Sequence, residues 1–416
     1  MTVSKVDTLI IGGGQAGLAM SAHLAKRGLP HLIVERDRIA ESWRTRRWDS
    51  LVANGPAWHD RFKDLEFADI DPDSFATKGE VAAYFETFAR QIDAPIREGV
   101  TVTSVTRGTN AGTWLAETSD GPIEATNVVF ATGPFQKPSI PAIVPADAPL
   151  TQLHSNAYRN SAQVPEGGVL VVGAGSSGVQ IADELARAGR QVYLSVGPHN
   201  RPPRSYRGKD FCWWLGALGH WDATEVVPGK EHVTIAVSGA RGGHTVDFRE
   251  LASRGIVLVG RTDAFENGTL RFADDLVENI ALGDADYLSV LDQADAYAIE
   301  NGLELPEEPS ARDMLADPAC LLDPVRELDL AAAGMNSIIW ATGFAFDFSW
   351  VDADTFDAKG APVHTQGVSN EPGLFFLGLP WLTRRGSAFI WGVWHDADGL
   401  SARIAERTAA LADAAA

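Results

Sequence analysis

Residues 7–17 read DTLIIGGGQAG, and their reading decides the fold. Thr8, Leu9, Ile10 and Ile11 are a short apolar run suited to a strand buried on both faces of a parallel sheet. The glycines that follow, Gly12-x-Gly14-x-x-Gly17 with Gln15 and Ala16 between them, permit three things. The backbone can turn tightly, a pyrophosphate can approach without a Cβ in the way, and the next helix can pack closely on the strand. That helix is expected over LAMSAHLAKRG and ends at Gly28. Its N-terminus presents unpaired N–H groups and a partial positive charge, which suits a phosphate. His31 to Val34 supply the second strand, and Glu35, followed by Arg36, closes it where a carboxylate accepts the hydroxyls of an unphosphorylated ribose.

The same pattern returns at Val169. VLVVGAGSSG is a buried strand running into Gly173-x-Gly175-x-x-Gly178, with Ser176 and Ser177 inside the turn, and it is followed by the helix VQIADELARAG and the strand QVYLSV. Two such units make the expected fold α/β, with two Rossmann-like dinucleotide-binding domains. The second unit closes differently from the first, on Ser195-Val196-Gly197 and then HNRPPRSYRGKD. An acid there would repel a 2′-phosphate, whereas Arg201 or Arg204 would pair with one, so this site suits NADPH. The competing reading leaves both arginines as solvated loop residues.

Composition agrees with a soluble enzyme. At 416 residues two or three domains are expected. The formal net charge of −20 argues against nucleic acid, because a phosphate backbone would be repelled. Two distant cysteines, Cys212 and Cys320, make neither a disulfide framework nor a C-x-x-C redox pair. The first strand begins within ten residues of Met1 and no apolar run reaches spanning length, so a cytoplasmic protein with no membrane partner is expected. A homodimer is the candidate assembly, and no metal site is expected.

Between and beyond the two units the signals are weaker. RDRIAESWRTRRWDSLVANGPAWHDRF reads as a long functional loop, GEVAAYFETFARQI as a helix, and VTVTSVTR, TWLAETS and NVVFATG as strands. Residues 211–335 hold strand-like HVTIAVSG and GIVLVGR, the helical LVENIALGDADYLSVLDQADAYAI, and Trp213, Trp214 and Trp221, whose ordinary use is core packing. SIIWATGF repeats the form of VVFATG, and a helix from about Gly392 is expected to fray in its Ala-rich tail.

Taken together, GGGQAG, ESWR, SLVANGP, FATGPFQKPSIP, LHSNAYR, GAGSSG and IIWATGF resemble the flavin-containing monooxygenases and their Baeyer–Villiger relatives over nearly the whole chain. The resemblance implies an FAD domain interrupted by an inserted NADPH domain, with parts at 1–155, 160–335 and 336–416. It implies that the first glycine turn and Glu35 hold FAD, that Ser42, Trp43 and Arg47 flank the flavin, and that Val102 touches adenine. Ala131, Thr132 and Gly133 would bind at the domain edge, and the second turn would cradle NADPH with Thr342 and Gly343 nearby. Departures are visible. Ala148 and Leu150 replace the Phe-x-Gly of the family fingerprint, although His154, Ser155 and Tyr158 remain, and Gly197 stands where an arginine is common. Tyr158 replaces the Trp of the main Baeyer–Villiger type, which favours heteroatom oxygenation.

The implied chemistry is hydride transfer from NADPH to flavin, addition of O2 at flavin C4a, and delivery of one oxygen atom to a small-molecule nitrogen or sulfur. Such an intermediate needs a dry cavity and a fixed polar partner, and Asn54 of NGP matches the family's catalytic asparagine. Asn54-Gly55 is also a favourable turn dipeptide. Baeyer–Villiger oxygenation of a ketone, and an NAD(P)H-dependent flavin oxidase or redox sensor without oxygenation, are the alternative functions.

Overall fold

The computed structural model describes residues 3–225 and 235–415. The chain opens on β1 (Ser4–Ile11), whose last four residues are fully buried, and turns at the first glycine motif into α1 (Gln15–Lys26) and β2 (His31–Val34). The segment expected to be one long loop contains a short helix, Glu41–Thr45, before α2 (Lys78–Gln91). Thr77 starts α2 with a capping box: its hydroxyl takes the Glu80 N–H and the Glu80 carboxylate returns to the Thr77 N–H. Then come β3 (Ile96–Arg97), the antiparallel pair β4 (Val102–Arg107) and β5 (Trp114–Thr118), and β6 (Ile123–Phe130). Strands β3, β2, β1 and β6 lie side by side and parallel, so β1 is central and its glycine turn opens between two neighbours.

A second sheet is parallel throughout. Its strands are β7 (Thr151–His154), β8 (Gly168–Val172), β9 (Val192–Ser195), β10 (Val257–Val259) and, after a long excursion, β11 (Met335–Trp340). The order is β10-β9-β8-β11-β7, again with the glycine-motif strand flanked on both sides. Helix α3 (Ser176–Arg187) follows that motif, and α4 (Leu276–Glu300) covers much of the excursion. The chain then returns to the first sheet with β12 (Leu374–Phe376), parallel to β6, and closes with α5 (Ile390–Ala415), which packs on α1.

Strands β7 and β11 both pair inside the second sheet, through Trp340↔His154 and Trp340↔Val172. Two details correct the sequence reading. The Ala-rich tail continues the helix to Ala415, in keeping with alanine's high helix propensity. Of the strand expected over HVTIAVSG, residues 232–234 lie outside the described residues; Val237–Ser238 pairs with His244–Thr245, and Ile235 forms a single bridge with Asn200. Trp214 and Trp221 are buried, the core use that was expected of them.

Candidate active site

The two glycine turns have nearly the same geometry because the same steric demand acts on both. Gly12 sits at φ 115° and Gly173 at φ 109°. A Cβ on Gly12 would lie 2.6 Å from the Ala131 carbonyl oxygen, and one on Gly173 would lie 2.5 Å from that of Ala341. The third glycine is stricter: a Cβ on Gly17 would fall 1.9 Å from Gly12 O, and one on Gly178 would fall 1.8 Å from Gly173 O. Gly14 is different, since its Cβ would meet nothing within 4 Å. That open space leaves room for a ligand to approach the backbone. Gly14 and Gly175 cap α1 and α3 without a side chain, and neither first turn carries an acid, so the N–H groups and the dipole end are left for an anion.

Glu35 is fixed at the edge of the first turn. Its Oε2 accepts the Gly13 N–H at 2.6 Å and its Oε1 accepts the Asp37 N–H at 2.9 Å, which leaves lone pairs on both oxygens for hydroxyl donors. Arg36 is exposed and pairs with Asp37 at 3.3 Å. The N–H groups of Gly99 and Val100 bond to the carbonyls of Asp37 and Glu35, which brings Val102 to the same side. Gln15 Nε2 donates to Ala388 O at 2.8 Å, and the position a Cβ would take on Gly378 lies 2.8 Å from Ala16 Cβ, so the returning chain presses on this turn. Ala131 continues β6 past its end, and Gln136 Nε2 donates to Thr132 Oγ1 and Gly133 O, both at 2.9 Å.

Ser42 and Trp43 lie on the short helix, with Trp43 packed against the cores of both sheets. The Arg47 guanidinium stands 4.8 Å from the centre of the Phe135 ring and has no carboxylate partner among the described residues. Burial, reinforced by Arg46 and Arg159, lowers its pKa to about 10. An unneutralised cation beside the first turn suits an anionic or electron-rich ligand. On the other side of the cleft, Thr342 Oγ1 donates to Ser139 O at 2.5 Å, and Gly343 O accepts from His154 Nε2 at 2.9 Å. Ser176 Oγ donates to Ile235 O at 2.7 Å, and Ser177 is half-buried in the same turn.

The basic residues expected to read a 2′-phosphate are otherwise occupied. Arg201 is 2% exposed; its Nη2 lies 2.8 Å from Asp284 Oδ1 and 3.6 Å from Asp247 Oδ2. Arg204 is 6% exposed, pairs with Asp210, and donates to the Asn54 carbonyl at 2.6 Å. Both guanidiniums are neutralised inside the protein. Ser195 is buried as well, its Oγ donating to Gly260 O at 2.9 Å. The exposed cation at this strand end is Arg261, two residues beyond β10. Its Cγ lies 3.4 Å from where a Gly197 Cβ would be, and its guanidinium, braced by Asp275, is 63% exposed. No sequence signal marks it, because it belongs to the neighbouring strand rather than to the glycine unit.

Asn54 is one of the residues that join the two halves, as Ser50 also does through Glu184. Its Oδ1 accepts from Gln180 Nε2 at 2.9 Å, and Gln180 lies on α3, two residues past Gly178. No hydrogen bond of its Nδ2 is found among the described residues, and that atom is not sealed from solvent. The arrangement therefore offers two anion-ready turns, a carboxylate able to accept from a ribose, and an amide donor without a protein partner beside the helix of the second turn.

Known proteins resemble the chain. Residues 9–214 match the pyridine nucleotide-disulphide oxidoreductase family. A CzcO-like oxidoreductase of Geobacillus kaustophilus (strain HTA426) is 33% identical over 95% of this chain and 97% of its own length. The indole-3-pyruvate monooxygenase YUCCA1 of Oryza sativa subsp. japonica is 32% identical over 63% of this chain and 68% of its own. Among solved structures, the flavin-containing monooxygenase of Stenotrophomonas maltophilia superposes with a TM-score of 0.67 at 19% identity, covering 97% of this chain and 99% of that one.

Proposed function

The chain belongs to the flavin-containing monooxygenase family, beside the CzcO-like oxidoreductases and the YUCCA monooxygenases, and from that premise we propose an FAD-dependent, NADPH-consuming oxygenase that places one atom of O2 into a small molecule. The observation that carries this reading is the pair of uncapped glycine turns, with the Asn54 amide anchored on the helix of the second one and its Nδ2 without a protein partner among the described residues.

The residues present fit both nucleotides. Gly12, Gly14 and Gly17 with the N-terminus of α1 would hold the FAD pyrophosphate, and Glu35 the adenosine ribose; Gly173, Gly175, Ser176, Ser177 and Gly178 would hold that of NADPH. Arg261 is the cation placed to read the 2′-phosphate. Bound flavin would supply the redox chemistry, accepting hydride and passing electrons to O2. The protein's own part is to bind, orient and keep water out. Arg47, held over Phe135, would set a positive charge beside a bound ring system. Asn54 Nδ2 would serve as a hydrogen-bond donor to the oxygen to be transferred, a donor already fixed by the fold and so free of reorganisation cost.

Nitrogen or sulfur is the favoured acceptor atom, supported by Tyr158 in the place of the ketone-oxygenating relatives' tryptophan. The enzyme is read as cytoplasmic, and its acidic surface favours neutral or cationic substrates. Turnover under labelled dioxygen with a panel of amines, sulfides and ketones tests the whole reading. One labelled atom in an amine or sulfide product is expected. A labelled ester moves the enzyme to ketone oxygenation, and hydrogen peroxide as the sole labelled product with every substrate overturns oxygenation altogether.

A further inference from the structure

An asparagine amide has a donor end and an acceptor end of nearly the same shape, so its usefulness depends on what sets its orientation. Here that orientation follows from a chain of unambiguous partners. The carbonyl oxygen of Val237 accepts hydrogen bonds only, and the Gln180 side-chain atom 2.8 Å from it must be the nitrogen, Nε2. The opposite orientation would set two acceptors against each other at that distance. The second hydrogen on Nε2 then reaches Asn54 at 2.9 Å, so the atom it meets is the acceptor Oδ1. Nδ2 is left pointing away from Gln180.

The surroundings hold this order in place. Gln180 is 9% exposed, and Ser176 of the same helix bonds to Ile235 O, so α3 grips the 235–237 segment at two points. Close packing at Gly239, where a Cβ would lie 2.2 Å from Ala53 O, presses that segment on the residue before Asn54. The Asn54 main-chain carbonyl is taken by Arg204, whose guanidinium is paired with Asp210 and lies 4.7 Å from the centre of Phe75 and 4.3 Å from that of Phe211.

We propose that Gln180 is a positioning residue: it turns the Asn54 amide so that the donor end faces the cleft, and, because it rides on the helix of the second glycine turn, it makes that presentation depend on the docking of the two halves. The inference rests on the oxygenase reading for its consequence in turnover but not for the geometry itself. Gln180→Met keeps the length of the side chain and removes the donor. Gln180→Glu replaces the donor with an acceptor, which draws Asn54 Nδ2 toward the helix and turns Oδ1 to the cleft.

The first measurement needs no turnover. In protein labelled with ¹⁵N-asparagine, the Asn54 side-chain amide pair, assigned by its loss in Asn54→Ala, should shift in Gln180→Met and in Gln180→Glu, in different directions. Unchanged resonances in both variants overturn the positioning. The second measurement is hydrogen peroxide released per NADPH consumed with a substrate that the wild type oxygenates. Losing one orienting hydrogen bond should raise the peroxide branch about tenfold in Gln180→Met. The double variant Asn54→Ala/Gln180→Met should be no worse than Asn54→Ala alone, whereas a merely structural role of Gln180 would add its own loss. Additive losses, or wild-type coupling in Gln180→Met, overturn the inference. If the wild type makes only peroxide, the oxygenase reading fails and the amide resonances alone judge Gln180.

Discussion

The two glycine units share a turn and diverge at the next strand end. After β2 the chain offers Glu35, a half-buried carboxylate braced by two backbone N–H groups and still able to accept from a ligand. After β9 it offers Ser195, whose hydroxyl is spent on Gly260 and Thr262, and then two arginines spent on Asp284, Asp247 and Asp210. The first end keeps its polar capacity open, while the second consumes its own in holding the fold and leaves Arg261, beyond the adjacent strand, as an exposed cation, the one we propose to read the 2′-phosphate. On that proposal the glycine motif announces the phosphate cradle in both halves but the ribose reader in only one.

The largest expected effect separates two glycines of one motif. Gly17→Ala would force a methyl to 1.9 Å from Gly12 O, backbone against backbone, and Gly178→Ala repeats the clash at 1.8 Å. Overpacking of this kind costs about 3 kcal/mol or more, and little flavin-loaded soluble protein should be recovered from Gly17→Ala. Gly14→Ala faces empty space in the protein itself, so its thermal unfolding without cofactor should stay within about 1 kcal/mol of wild type, while its FAD-to-protein absorbance ratio falls sharply. If Gly14→Ala retains full flavin, Gly14 does not face the pyrophosphate.

The second test bears on the divergent ends. Arg201→Ala leaves the half-buried Asp284 and Asp247 with one fewer cation, Asp284 still paired with Arg249, a change that should cost about 3 kcal/mol, the lower end for breaking a buried pair. It should lower the unfolding midpoint strongly while leaving the NADPH to NADH ratio of kcat/KM where it was. Arg261→Ala should do the reverse, lowering that ratio roughly 10- to 150-fold, the worth of one charge-assisted pair of about 1.5–3 kcal/mol, with little change in stability. A fall in the ratio on Arg201→Ala would return that residue to the coenzyme site.

What could be read from sequence follows the same division. Strand, turn and helix in each unit arise from residues within a few positions of one another, so apolar runs and glycine spacing were sufficient to place β1, α1, β8 and α3. Glu35 was legible because its partner Gly13 belongs to the same unit. Arg201 was not, since Asp284 comes 83 residues later on α4, a helix whose acidic character reads as solvation. The partner of Asn54 is 126 residues away, and β7 and β11 find their sheet through pairing rather than through chain neighbours.

The smallest effect is a difference in acid response between the two halves. His23 on α1 and His199 beyond β9 are both buried, and burial is the main cause that lowers the pKa of each below the ordinary value of 6.5. Their neighbours differ. Asp398, 3.3 Å from His23, opposes the lowering, although Lys26 and Arg27 add to it. His199 has its Nδ1 on Gly197 O at 3.0 Å, a bond that opposes the lowering, while Arg201 adds to it and Asp284 relieves it; the Nε2 of both histidines is buried without a hydrogen bond among the described residues. A folded pKa below the unfolded one means that the unfolded chain binds the extra proton, so the stabilisation is complete above pH 6.5 and is lost as pH falls below it. Protonation of His199 sets two cations together, whereas protonation of His23 gains a carboxylate. Hydrogen exchange followed by mass spectrometry between pH 7.5 and 5.5, corrected for intrinsic rates, should therefore show protection falling in both segments below about pH 6.5 and falling further in Val192–His199 than in Gln15–Lys26. Equal loss in both segments would mean that the neighbouring charges are screened and burial alone governs the two histidines.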